Sequence, residues 1–276
     1  MGWEYTSDGN EITLGCALTK LSADIDCSSM PQGPAGAAGL TCIQMNCQAN
    51  DCTLDCDGHK IIGPGRSSSL DVFVYGTRGI YVAPTSNTVT IKNCIIEGFD
   101  QGIYVTDSST VTLAADVGSV TAGSTINVWS NTACSDFGLT GGQCCPGRDL
   151  PSPNDNLVNG EIQIEKTVMT KNFNGMFAQY AKVTLMDSAA IENYESGVVM
   201  QVCADADFED VLLCNNLWDI RYQGLGGNSK YIQQASGFVT FSTKKTNAQD
   251  SDPVADVNAT EGVYRPCPAS INVCPN

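Results

Sequence analysis

Histidine is nearly missing: His59 is the only one in 276 residues. No Cys-x-x-Cys pair is repeated either, so the common zinc centres are excluded. Charge is sparse, at 16% of residues, and no window carries a sustained helical stripe, because Gly, Asn and β-branched residues interrupt each candidate. Helix-rich classes are therefore excluded, and a turn-rich β structure is expected. Long apolar runs are lacking, so no segment has the length of a membrane span. The first residues, Met1-Gly2-Trp3-Glu4-Tyr5, hold neither the basic nor the apolar part of a secretion leader. A mature or engineered form is expected. Positive charge is the scarcer sign, with 14 Lys+Arg against 30 Asp+Glu and a formal net charge of −16. Such a surface repels phosphate backbones, which excludes nucleic acid as a partner. It also disfavours uronic-acid polymers unless metal ions screen the contact.

Cysteine, in contrast, is plentiful. The 14 residues are Cys16, Cys27, Cys42, Cys47, Cys52, Cys56, Cys94, Cys134, Cys144, Cys145, Cys203, Cys214, Cys267 and Cys274. Their even number permits full pairing, and disulfides in an oxidising, extracellular or cell-surface setting are expected, with connectivity open. Asn258-Ala259-Thr260 is a glycosylation sequon in a polar tail, making Asn258 the expected acceptor.

The strongest internal signal is a repeat. Gly79-Ile80-Tyr81-Val82 returns as Gly102-Ile103-Tyr104-Val105, and the offset, 102 − 79, is 23 residues. A period in the low twenties marks a chain that winds through the same short strands again and again. Val89-Thr90-Ile91-Lys92-Asn93-Cys94, Ile162-Gln163-Ile164-Glu165 and Lys182-Val183-Thr184-Leu185 are further copies. An aromatic in mid-turn recurs at Phe99, Phe173 and Tyr194, with Trp218 as a fourth candidate. The inward column is expected to contain Leu54, Ile61, Ile80, Val82, Val89, Ile91, Ile96, Ile103, Val105, Val111, Leu113, Ile162, Ile164, Val183, Leu185, Ile191, Val198 and Leu212.

Three regions follow. Residues 1–50 are a disulfide-rich N-terminal cap, 51–243 a run of repeated turns interrupted by an inserted loop at 131–160, and 244–276 a C-terminal tail or cap. Long loops of this kind are often functional.

Leu54-Asp55-Cys56-Asp57-Gly58-His59-Lys60-Ile61-Ile62-Gly63 and the Gly-Ile-Tyr-Val segments resemble the right-handed parallel β-helix family, the pectin-lyase-like solenoids, over roughly residues 50–240. The resemblance implies an all-β, right-handed, single-stranded parallel β-helix. About seven or eight coils fit, stacked about 4.8 Å apart. It implies no single activity, because the fold hosts lyases, hydrolases, epimerases, adhesins and structural proteins. In the family's enzymes the substrate groove runs along the face led by the Gly-x-x-x segment.

With Ile80, Val82, Ile103 and Val105 inward, that face here presents Tyr81, Ala83, Tyr104, Thr106, Phe177, Gln179, Val199 and Gln201. It carries no carboxylate pair, Arg or Lys, whereas glycoside hydrolysis needs two carboxylates and β-elimination a base. Tyr81, Tyr104 and Phe177 read instead as an outward aromatic ladder that stacks on sugar rings or buries against protein. The inserted loop is expected to border it. His59 and its neighbours Asp55 and Asp57 read as turn residues, and Arg78 and Arg221 as surface ion-pairing residues. Asp205, Asp207, Glu209 and Asp210 read as a solvated acidic loop, and Asp250, Asp252 and Asp256 likewise. No cofactor is expected. Calcium is the one ion with candidate oxygen ligands, but no recognised loop template is matched.

The expected function is a non-catalytic structural or adhesive subunit of a cell surface, wall or filamentous appendage, contacting other protein subunits or glycans. The alternative is a polysaccharide-active lyase or glycoside hydrolase. An ice-binding surface ranks below both, because Thr-x-Thr occurs only in isolated copies.

Overall fold

The computed structural model describes residues 12–14, 18–30, 40–47, 51–67, 72–73, 76–83, 87–106, 110–112, 125–127, 161–179, 181–201, 204–223, 231–241 and 246–248. They are all β, with no helix among them, and nearly all pairing is parallel.

Two stacked sheets account for it. The first has eight strands, in the order Ile12–Leu14, Leu40–Met45, Thr77–Val82, Gln101–Thr106, Asn174–Gln179, Ser196–Gln201, Trp218–Gln223 and Thr246–Ala248. The second has twelve strands and two arms. One arm stacks Leu18–Lys20, Cys52–Asp55, Val89–Lys92, Glu161–Glu165 and Lys182–Met186. The other stacks Ile25–Asp26, Lys60–Ile62, Ile95–Glu97, Val168–Thr170 and Ala189–Ile191. Both arms meet on the long strand Asp205–Cys214, which also pairs with Tyr231–Phe241. The chain visits one arm, the other arm and then the eight-stranded sheet in turn, an order compatible with a parallel β-helix. Residues 12–45 of the N-terminal segment already contribute strands to both sheets.

The sequence repeat sets the register. Ile103 stands opposite Ile80 and Met176, and Val105 opposite Val82 and Ala178. Ile80, Val82, Ile103 and Val105 are at most 1% exposed and join one core with Leu54, Ile61, Ile91, Ile164, Leu185 and Val198. Strict alternation puts each aliphatic on its counterpart one turn away, so apolar area is removed from water along the whole stack.

The corners have rules of their own. One residue in the left-handed region turns the chain between strands, at Asn93, Lys166, Asp187 and Asp210 on one corner and Gly98, Lys171, Glu192 and Asn215 on the next. Buried asparagines follow the second set. Asn172, Asn193 and Asn216 lie 21 and 23 residues apart, and each Oδ1 accepts a backbone N–H from the preceding turn: Phe99 at 3.0 Å, Asn172 at 3.1 Å and Asn193 at 2.9 Å. Each Nδ2 donates to a carbonyl of the preceding turn, on Ile96, Met169 and Ala190. The column thus satisfies corner amides that no strand can pair. Glycines close this corner: a Cβ on Gly102 would sit 2.6 Å from the Gly175 carbonyl oxygen and 2.9 Å from Asn172 Nδ2. On the other corner Thr167 and Ser188 do the capping, and Cys94 takes the equivalent place one turn earlier, bridged to Cys56.

Several expectations change. Val111 is not part of the column: Thr110–Thr112 pairs antiparallel with Thr125–Asn127, apart from both stacked sheets, and Leu113 lies outside the described residues. Leu212 is only partly buried, and Leu213 takes the inward place, because the left-handed corner at Asp210 shifts the alternation by one residue, from Ala206 and Phe208 to Val211 and Leu213. Asp205–Cys214 is a strand and not an acidic loop: Ala206 and Phe208 alternate inward between Asp207 and Glu209. Phe99 does not match Phe173 but stands where Asn172 stands in the next turn, fully buried. Trp218 is in register with Ser196, not with Tyr194.

The disulfides are Cys27–Cys42, Cys47–Cys52 and Cys56–Cys94, and Cys214 is also disulfide-bonded. All seven described cysteines are therefore oxidised, as in proteins of an oxidising compartment. Cys16, Cys134, Cys144, Cys145, Cys203, Cys267, Cys274, Asn258, the loop 131–160 and Asp250, Asp252 and Asp256 lie outside the described residues.

Candidate functional site

Side chains between the two inward columns of the eight-stranded sheet form rows one strand apart. The main row runs Gln44, Tyr81, Tyr104, Phe177, Val199 and Arg221. Parallel pairing in register makes this row unavoidable once Ile80 and Ile103 are paired, since one residue onward the side chain faces the other way. Tyr104 and Phe177 stack with centroids 5.3 Å apart and planes at 12°, and Tyr81 tilts against Tyr104 at 5.7 Å. The Tyr104 hydroxyl donates to Gln179 Oε1 at 3.3 Å.

A cation lies on the row, contrary to the expectation that this face has none. The Arg78 guanidinium is 3.9 Å from the Tyr104 centroid and 5.2 Å from that of Tyr81. Such contacts contribute about 0.5–2 kcal/mol. Arg78 belongs to a neighbouring row, between Thr41 and Gln101, and its planar head reaches back across the Gly79 step to the rings, which strand alternation alone does not reveal. At the far end Arg221 is ion-paired to Glu195. Val199, expected on the open face, is fully buried although it lies outside the main core. The aromatic end of the row, Tyr81, Tyr104 and Phe177, is half-buried.

The neighbouring row is polar. Arg78, Gln101, Asn174, Ser196 and Trp218 are in register. Gln101 Oε1, Asn174 Oδ1 and Ser196 Oγ are buried without a hydrogen-bond partner among the described residues. Beside this row the Asp100 carboxylate accepts the Gly76 amide at 2.9 Å. Burial raises its pKa, with Glu195 adding to the rise and Gly76 and Arg78 opposing it. Burial likewise raises the Tyr81 phenol. Two carboxylates, Asp100 and Glu195, and two arginines thus border the aromatic row, a grouping not evident from strand alternation because Asp100 and Glu195 precede their strands.

Other candidates stay apart. His59 Nδ1 lies 3.2 Å from Asp24 Oδ1, at a turn near the start of the stack. The Lys60 amide holds the Asp24 carboxylate below its ordinary pKa against the opposing effect of burial, and His59 adds to the lowering. Asp55 accepts Asn93 Nδ2 at 2.8 Å and the Asp57 amide at 3.0 Å. Among the described residues no group of three or more His, Cys, Asp or Glu is placed to hold a metal ion, Asp207, Glu209 and Asp210 included. Nor is any helix there long and apolar enough to cross a membrane.

No family model, curated protein or solved structure matches this chain.

Proposed function

We propose that the chain is a right-handed parallel β-helix of the pectin-lyase-like kind, with about seven or eight coils. A disulfide-rich N-terminal cap and an inserted loop complete it. In this reading it is a secreted, non-catalytic structural or adhesive subunit of a cell surface, wall or filamentous appendage. Its partners are other protein subunits or glycans, met through Tyr81, Tyr104 and Phe177. The parallel stacking supports the architecture, and right-handed crossovers are the rule for parallel strands. The disulfides support the compartment.

The observation that carries the functional reading is the ladder itself. Three rings in register, two of them stacked and two under a guanidinium, form a rigid amphipathic strip. Aromatics and arginine are the residues that anchor interfaces at low cost in rotamer freedom. The test is Tyr81→Ser with Tyr104→Ser in one chain. The fold should persist, because neither ring belongs to the core. Self-association in sedimentation velocity, or retention on a glycan panel, should fall at least tenfold. Loss of folding, or binding equal to that of the parent, would refute it.

A second reading, a polysaccharide-active enzyme, draws on Asp100 and Glu195. Two carboxylates are the minimum for glycoside hydrolysis, and a buried carboxyl of raised pKa suits a general acid. It ranks second because Arg221 already neutralises Glu195 and the Gly76 amide occupies Asp100 Oδ2.

A further inference from the structure

A cavity of about 550 Å³ opens on a different face, outside the second arm of the twelve-stranded sheet. Its lining includes Gly63, Glu97, Gly98, Lys171, Glu192 and Tyr194. Two of its lining glycines sit where successive turns approach closely. Gly63 and Gly98 carry no side chains, a Cβ on Gly63 would strike the Gly98 carbonyl at 2.5 Å, and Gly98 adopts φ 85°. Lys171 and Glu192 hold left-handed corner positions on successive turns, which turns both side chains outward and leaves them exposed.

The chemistry is specific. Tyr194 is 53% exposed, and its ring is backed by Phe173 at 5.8 Å and 28°. One ring face is backed by Phe173, and about half of the residue's surface is open to solvent. Glu97 is held by Lys60 at 3.2 Å and is largely buried on its own turn. The cavity therefore offers an apolar platform, one ion-paired and one exposed carboxylate acceptor, and an ammonium donor. Its size is that of a small-molecule site.

We propose that this cavity is a second ligand site, for a neutral oligosaccharide. A pyranose presents a C–H face to Tyr194 and hydroxyls that donate to Glu97 and Glu192 and accept from Lys171. Lys171 disfavours an organic cation. The two carboxylates and the net charge of −16 disfavour uronates and phosphates. The site does not depend on the Tyr81 ladder, which lies on the other sheet.

Affinity electrophoresis of the full chain tests this, in gels carrying laminarin, galactomannan or xyloglucan, with polygalacturonate as the acidic control. At least one neutral polymer should retard the chain and polygalacturonate should not. Tyr194→Ala and Glu192→Gln should each weaken retardation at least tenfold; Glu192→Gln should leave the melting temperature unchanged, and Tyr194→Ala, which loses the Phe173 contact, should leave the chain folded. The Tyr81→Ser, Tyr104→Ser chain should be retarded like the parent. No retardation by any neutral polymer, retardation by polygalacturonate alone, survival of retardation in Tyr194→Ala or Glu192→Gln, or its loss in the paired serine chain would each overturn the assignment.

Discussion

Asn193→Ala tests the corner column at its centre. Asn193 is 2% exposed, and its side chain serves three turns at once. Oδ1 accepts the Asn172 amide at 3.1 Å, and Nδ2 donates to the Met169 carbonyl at 3.1 Å and to Asn216 Oδ1 at 3.0 Å. Alanine strands one backbone donor and one backbone acceptor, both buried. Asn172 Nδ2 keeps Ile96, and Asn216 Oδ1 keeps the amide of residue 193. Each stranded group costs about 1–3 kcal/mol, so the loss should total about 2–6 kcal/mol. That is a large part of the 5–15 kcal/mol of a typical domain. Urea unfolding followed by far-ultraviolet circular dichroism reads it as a lower midpoint at unchanged slope. Glu192→Gln, one residue away and exposed, is the control and should stay within about 0.5 kcal/mol. A loss below about 1 kcal/mol for Asn193→Ala would show that the column does not carry the corner.

Two further predictions concern the core and the polar border of the ladder. Ile103→Asp places an unpaired carboxylate in a site with no exposure and should cost about 4 kcal/mol or more; a variant that melts with the parent would mean the register is wrong. Asp100 has a folded-state pKa above its ordinary 3.8, so its favourable contribution is present below that value and is lost as pH rises through the raised pKa. Asp100→Asn should therefore gain stability relative to the parent between about pH 4 and pH 7. A difference that does not vary with pH in paired urea titrations would contradict this.

What the sequence disclosed was whatever strand alternation controls. Two copies of Gly-Ile-Tyr-Val suffice to pair Ile80 with Ile103 and Tyr81 with Tyr104, because parallel strands in register repeat side-chain direction without error. The corners were harder to read. An asparagine in a turn has many local uses, and the column Asn172, Asn193, Asn216 is broken at its first place by Phe99, so its spacing offers only two steps. The signal was present as an asparagine directly after Lys171, Glu192 and Asn215, the left-handed residues of that one corner. Arg78 reads in sequence as a surface ion-pairing residue, because its reach over two rings depends on where a long side chain folds back. The burial of Val199 and the cavity beside Tyr194 arise from surfaces brought together by stacking, which no local pattern encodes.

The central claim is that the aromatic face binds and does not cleave. The most direct measurement incubates the chain with a panel of neutral and acidic polysaccharides, with and without calcium. It follows reducing ends and the ultraviolet absorbance of unsaturated uronates. No product above the blank is expected from the parent, and Asp100→Asn and Glu195→Gln should be indistinguishable from it. Turnover by the parent that either substitution abolishes would contradict the account and make this face an active site.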